Sequence, residues 1–357
     1  MELILVGQNN DINLLNCEED LLGTIYSVTL SPKDEETNEY ILDENRKIKL
    51  DKETIAALSK KRLGKQISFL QKFLDTLIAQ ELLIQNDSIY ALSNKGRNIG
   101  RKVRSRWISE MYDNLLLTCA NSKAYAKFCN EVFGKNLLQF NVIDMQQLDM
   151  VLEKLQIQPR ERVLDLGCGL GKITEYIAQK TKTHTLGIDF SSKAIDWANT
   201  NICKDTIEFE VMDISEIDFP DNSFDVILAF DVLYWLDDLE QVLPKIRRIL
   251  KPKGRLAVFY VLFRQETEPT KKISQDNNAF TYLLSKNGFT FESIDVSQEA
   301  IAIWQRKLEI GEKIKPEFEQ EGNLSIIESR LTDGINVIKK LEEELQKRYF
   351  YLINKKE

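Results

Sequence analysis

One stretch constrains this chain more than any other: Val163-Leu164-Asp165-Leu166-Gly167-Cys168-Gly169-Leu170-Gly171. A short apolar run enters a turn built on glycines, and Lys172-Ile173-Thr174-Glu175-Tyr176-Ile177-Ala178 carries on with helical character. Strand, glycine turn and helix in that order build nucleotide-type sites at the carboxyl end of a parallel strand. Glycine lets the backbone approach a ligand closely and adopt angles that a Cβ forbids. The helix start offers free N–H groups. The acid precedes the glycines, as Asp-x-Gly-x-Gly-x-Gly, so this is not the dinucleotide fingerprint.

The pattern continues in register. From residue 161 onward, apolar runs alternate with amphipathic helices, the signature of a parallel α/β sheet. Strand two reads Thr185 to Asp189, strand three Ile207 to Met212 and strand four Phe224 to Phe230. Leu250-Lys251-Pro252-Lys253-Gly254 then turns into strand five, through Val258. The acids ending the first three strands are evenly spaced, 189 − 165 = 24 and 213 − 189 = 24.

These motifs resemble those of the class I S-adenosylmethionine-dependent methyltransferases, closely over residues 161–261. The resemblance implies an α/β fold with a seven-stranded Rossmann-like sheet, mostly parallel, its last strand antiparallel. Phe280 to Lys286 then forms a helix, Phe291 to Val296 strand six and Lys347 to Asn354 strand seven. The insertion at about 297–346 becomes a helical cover over the site, with Trp304 either facing substrate or in the core.

The resemblance also assigns residues. Asp165 holds the glycine loop or reaches the methionine amino group through water. The backbone of Gly167, Cys168, Gly169 and Gly171 faces the cofactor. Asp189 accepts from both ribose hydroxyls, which suits a carboxylate, and Phe190 lies against the adenine. Asp213 accepts from the adenine amino group, and the N–H of Ile214 meets a ring nitrogen. Phe230 closes strand four beside the cofactor. Asp231 either contacts the methionine amino group or caps the next helix, and Tyr234 and Trp235 line the substrate pocket. Leu137 to Asn141 folds over the cofactor. The implied cofactor is S-adenosylmethionine, giving S-adenosylhomocysteine, with no metal.

Composition narrows the chemistry. The chain has a single histidine, His184, at the start of strand two. Sites in open parallel sheets lie at the opposite, carboxyl ends, so a histidine base is disfavoured, which leaves mainly proximity and desolvation, or assistance from a carboxylate or tyrosine. The cysteines are scattered without a Cys-x-x-Cys pair, so neither a disulfide framework nor a zinc site is indicated. The N-terminus lacks a basic leader, and no run approaches the roughly 20 apolar residues of a membrane span. The expected compartment is the cytoplasm. With 48 basic and 56 acidic residues, the net charge of -8 disfavours nucleic acid as a general partner.

At about 150 residues per domain, 357 residues make roughly two domains. Residues 1–105 read as an N-terminal domain, 106–158 as a helical connector and 159–357 as the catalytic domain. In the first, residues 31–39 read as a solvated loop and Gln66 to Leu82 as an amphipathic helix. A hairpin around Asn86-Asp87 follows. This resembles a winged helix, which in many regulators binds DNA and in a large group of methyltransferases dimerises and caps.

The basic residues between Lys95 and Arg106 invite the DNA reading, but the Gln66–Leu82 helix offers few groups for base edges. No Pro-Pro-aromatic motif follows strand four, and no Pro-Cys nucleophile. The expectation is therefore a small-molecule methyltransferase acting on nitrogen or oxygen, homodimeric through its N-terminal domain, without membrane or nucleic-acid partners. A DNA-binding regulator with a methyltransferase-like sensor domain and a protein or peptide methyltransferase are the alternatives.

Overall fold

The computed structural model describes residues 20–27, 50–63, 70–202, 205–264 and 272–356. The loop expected over residues 31–39 and the start of the helix expected from Gln66 lie outside them. The chain divides into two compact units between Met111 and Tyr112.

In the first unit, α1 covers residues 20–27, followed by α2 (Lys52–Leu63) and α3 (Leu70–Ala79). The hairpin expected at Asn86-Asp87 is present. β1 (Leu83–Asn86) pairs antiparallel with β2 (Ile89–Leu92), and Asp87 takes φ 54° in the turn, a conformation that suits its short polar side chain. Leu21, Leu22, Ile25, Phe73, Leu74, Leu77 and Tyr90 form this unit's core. α4 (Asn94–Asn121) begins after the hairpin and runs across the boundary into the second unit.

The second unit is built on a seven-stranded sheet. In chain order its strands are β3 (Arg162–Leu166), β4 (His184–Asp189), β5 (Ile207–Val211), β6 (Phe224–Phe230), β7 (Leu250–Phe263), β8 (Phe289–Asp295) and β9 (Gln346–Lys355). In space the order is β5-β4-β3-β6-β7-β9-β8. All neighbours from β5 to β7 are parallel, and β9 is antiparallel to β7 and β8 on either side. The sequence of strands reverses direction beside β3, between β4 and β6, and such a switch point opens a crevice at the carboxyl ends.

Successive side chains point to opposite faces of each strand. Leu164, Leu166, Ile227 and Ala229 enter one core with α9 (Leu239–Ile249) and α10 (Ala279–Lys286). Val163, Val226, Leu228 and Phe230 enter the other with α6 (Met145–Leu155) and α7 (Lys172–Thr181). α8 (Ser192–Asn201) covers β4 and β5 through Ile195 and Ala198. β8 starts two residues before the expected Phe291, because Gly288 at φ 69° ends the preceding turn directly before it. His184 opens β4 and is exposed, at the end opposite the crevice.

The insertion after β8 is a pair of helices, α11 (Ser297–Gln320) and α12 (Leu324–Glu342). They share a core with α5 (Lys123–Phe133) through Phe128, Val132, Ile303, Ile314, Phe318 and Ile327. Residues 112–158, expected as part of the helical connector, belong to the second unit. α5 is defined at both ends: Ser122 Oγ accepts from Tyr125 N, and Gly134 closes it at φ 86°.

Candidate functional site

The turn after β3 is held by β4. Gly167 N and Cys168 N both donate to Ile188 O, at 2.8 and 3.0 Å, and Gly171 N donates back to Cys168 O at 2.9 Å. Gly167, Gly169 and Gly171 have φ of 73°, 54° and 71°, where a side chain is strained. A Cβ on Gly167 would stand 2.7 Å from Val232 Cγ2, and one on Gly171 2.5 Å from Phe209 Cε1. A Cβ on Gly169 would meet nothing within 4 Å. Packing thus demands the outer two glycines, while the middle one borders open space of the kind a ligand occupies.

Three acids surround this turn. Asp165, 3% exposed, accepts from Thr174 Oγ1 at 2.6 Å. Burial pushes its carboxyl up to about 7 against that hydrogen bond, and the nearby Asp189 charge adds to the rise. Asp189 Oδ2 accepts from Gly169 N at 2.8 Å and its Oδ1 from Ser191 N at 2.9 Å. Burial raises its pKa, while those two backbone donors oppose the rise. Asp213 Oδ1 accepts from Ser215 N at 2.8 Å, capping the short turn Ile214–Glu216, and Met212 N donates to Asp189 O at 2.9 Å. Asp189 thus ends β4, and Asp213 follows the end of the neighbouring β5 by two residues. The Cys168 thiol is driven well up by burial, with Asp189 and Asp165 adding to it, so it stays a neutral side chain.

Beyond β6, Asp231 does not cap the next helix, since α9 takes its cap from Asp238. The φ of Asp231 is 57°, and the short turn Leu233–Trp235 that follows has no side-chain cap. Both carboxylate oxygens are instead occupied by Arg348 of β9, with Nε to Oδ1 at 2.9 Å and Nη2 to Oδ2 at 2.8 Å. Arg348 also donates to Gln147 Oε1 at 3.1 Å and lies over the Phe259 ring, 4.3 Å from its centroid. Phe230 is buried. Tyr234 packs between Trp235 and Tyr260, with ring centroids 5.5 and 5.7 Å away, and Tyr260 stacks on Phe280 at 4.1 Å. Burial drives the Tyr234 phenol well above its ordinary pKa, so it holds its proton. Trp235 is 55% exposed.

The segment 137–141 is anchored by Tyr125 Oη donating to Gln139 O at 2.8 Å. Phe140 meets Tyr112 edge-on at 5.8 Å, and Tyr112 meets Phe190 at 6.1 Å. This ring series links the segment to the residue after Asp189.

Sequence reading missed four side chains here. Asp113 on α4 is buried and accepts from Ser191 Oγ and, at 3.2 Å, from Lys193 N. Arg348, on β9, directly precedes the aromatic run Tyr349-Phe350-Tyr351. Lys307, on α11, is 2% exposed; its Nζ lies 3.9 Å from the Trp304 ring centroid and 3.4 Å from Asn141 O. Burial first, then Arg330, lowers its pKa to about 7. Arg330, on α12, lies over the Phe140 ring at 4.0 Å. Lys307 did leave a signal, being a lysine on the apolar stripe Ala300, Ile303, Ile314 of its helix. Trp304 resolves to the core, beside Ala300, Ile301 and Leu341.

Among the described residues, no cluster of His, Cys, Asp and Glu could hold a metal, and no helix is long and apolar enough to cross a membrane.

Residues 164–258 match the family model of a methyltransferase domain. Phosphoethanolamine N-methyltransferase 1 of Arabidopsis thaliana is 28% identical over 249 residues, 64% of this chain and 49% of that protein. The chain thus spans about half the length of that curated relative. Phosphoethanolamine N-methyltransferase 2 of Haemonchus contortus, in complex with phosphomonomethylethanolamine and S-adenosylhomocysteine, superposes with TM-score 0.57 at 17% identity, over 69% of this chain and 60% of that one. A (4+2)-cyclase superposes with TM-score 0.53 at 19% identity, over 71% of this chain and 96% of that one. Both likenesses are of fold.

Proposed function

From a chain whose residues 164–258 match the family model of a methyltransferase domain, we propose a class I S-adenosylmethionine-dependent enzyme that methylates a nitrogen or oxygen of a small molecule. The observation that carries this reading is Asp189, whose carboxylate bridges Gly169 N and Ser191 N beside the open space at Gly169. That arrangement fits the cofactor. The backbone of Gly167 to Gly171 would border its amino-acid end, Asp189 the ribose diol, Phe190 the adenine face, and Asp213 with Ile214 N the adenine edge.

The cofactor supplies a methyl group already activated on a sulfonium, so the chain's task is placement and drying of the cleft. Asp231 is held by Arg348 and so fixes the start of the loop carrying Tyr234 and Trp235. Those rings line the acceptor's approach, and the protonated phenol of Tyr234 offers a hydrogen-bond donor to it. His184 sits at the opposite end of the sheet, so the acceptor arrives with its lone pair free or is assisted by a group other than histidine. The relative's name supports nitrogen as the acceptor atom. In this reading the N-terminal unit dimerises, which sedimentation of the full chain tests.

Calorimetric titration of S-adenosylmethionine into wild type and Asp189→Ala tests the cofactor assignment: the variant should lose binding, and equal affinity would refute it. Incubation with methyl-labelled cofactor and separate metabolite and protein fractions tests the acceptor class. Label in the protein fraction alone would favour the protein-methyltransferase alternative.

A further inference from the structure

We infer that Lys307 and Arg330 form an oxyanion subsite of the cleft, built to take the carboxylate or phosphate of a small-molecule ligand. The inference rests on the proposed methyltransferase reading and adds the chemistry of one ligand group.

Three cations share this buried neighbourhood: Lys307, Arg330 and Arg348 are 2%, 9% and 2% exposed. Their treatment differs. Arg348 is fully answered by both oxygens of Asp231 and by Gln147 Oε1. That pairing answers the charge of Asp231, which would otherwise favour the charged form of Lys307. Lys307 is left with one long hydrogen bond to Asn141 O and two ring faces, Trp304 at 3.9 Å and Phe133 at 5.2 Å. Arg330 reaches Asp333 with Nη2 at 3.3 Å, toward the half-exposed edge, while its Nε is buried with no hydrogen-bond partner. Buried donors are ordinarily satisfied, and a buried cation without a counter-charge is costly. A packed helix pair that served only as a cover would carry apolar residues at both positions.

Placement ties the subsite to the cleft. Arg330 lies on Phe140, which meets Tyr112, which meets Phe190 next to Asp189. Lys307 bonds Asn141, and the next residue, Val142, donates to Asp231 Oδ2 at 3.4 Å. One short segment thus joins both cations to the two strand ends that flank the glycine turn. A planar guanidinium and an ammonium are the natural receptors of a carboxylate or phosphate. Two sources of that group exist: the amino-acid carboxylate of the cofactor, or an anionic group on the methyl acceptor.

The test uses the full chain, with calorimetric titrations of S-adenosylhomocysteine, of 5′-methylthioadenosine (which lacks the amino-acid carboxylate) and of inorganic phosphate, in wild type, Lys307→Met and Arg330→Gln. We expect a loss of tenfold or more for one anionic probe, with 5′-methylthioadenosine unchanged. Loss for S-adenosylhomocysteine alone assigns the cofactor carboxylate, and loss for phosphate alone assigns an anionic acceptor. No change for either, or an equal loss for 5′-methylthioadenosine, overturns the inference. Should Lys307→Met fail to fold, the more peripheral Arg330→Gln carries the same comparison. Failure of the methyltransferase reading is separately visible, as wild type would then bind neither nucleoside, while the phosphate titration stays readable.

Discussion

Arg348 grips both oxygens of Asp231 across 117 residues of sequence, at 2.9 and 2.8 Å, with both side chains almost wholly buried. The pair fastens β9 to the end of β6, directly before Val232, whose methyl group fills the space over Gly167. Removing one partner strands a buried charge. Arg348→Met should cost about 3–5 kcal/mol, and adding Asp231→Asn should restore part of it. Urea unfolding of the two single variants and the double variant measures the coupling.

The glycine turn separates stability from binding. Gly169→Ala places a methyl group where the protein offers no contact, so its stability cost is the left-handed backbone alone, about 1–2 kcal/mol. It should nevertheless weaken S-adenosylhomocysteine binding tenfold or more, since the methyl group enters the ligand's space. Gly171→Ala drives a Cβ to within 2.5 Å of Phe209 and should lower the melting temperature further. Thermal melts and titrations on the same samples compare the two.

Asp113 supports the start of α8 from outside the sheet. Asp113→Ala removes the acceptor for Ser191 Oγ and Lys193 N and should cost about 1–2 kcal/mol. Because Ser191 N also holds Asp189 Oδ1, cofactor affinity should fall along with stability. Calorimetry at a temperature where the variant remains folded reads the second effect.

Lys307 and Asp165 give stability opposite slopes with pH. The Lys307 pKa falls from 10.5 to about 7 on folding, so between these values the unfolded chain keeps a proton that the folded chain has released. Its contribution is fully present above 10.5 and is lost as pH falls through about 7. The Asp165 pKa rises from 3.8 to about 7; its contribution is full below 3.8 and is lost as pH rises through about 7. Relative to wild type, Lys307→Met should lose ground from pH 7 to 10, and Asp165→Asn should gain ground from pH 4 to 7. Melting temperatures across that range decide both.

The sheet was legible because parallel strands buried on both faces read as unbroken apolar runs. At the outer β5, Ile207 and Phe209 point inward while Glu208 and Glu210 point out, an alternation visible in the letters alone. The spacing of the acids was legible too, since a repeated unit of strand, turn and helix sets it. Asp231 was legible as a position but not in its partner. A pairing with Arg348, like that of Asp113 with Ser191 78 residues away, follows from how helices and strands stack and leaves no local periodicity. Lys307 lies between these cases. Its place on an apolar stripe was readable, but its single long hydrogen bond, to Asn141 O, is set by the loop that packs beside its helix.

β9 lies between β7 and β8, so order in space inverts order of synthesis. A ribosome delivers β8 before the strand on which it docks, and until residues 346–355 emerge, β7 keeps a bare edge open to wrong partners. The arginine that secures Asp231 arrives on that same strand. Completion of the sheet and completion of the cleft are thus one event, and a nascent chain short of β9 holds its glycine turn beside a loop that Arg348 has not yet locked.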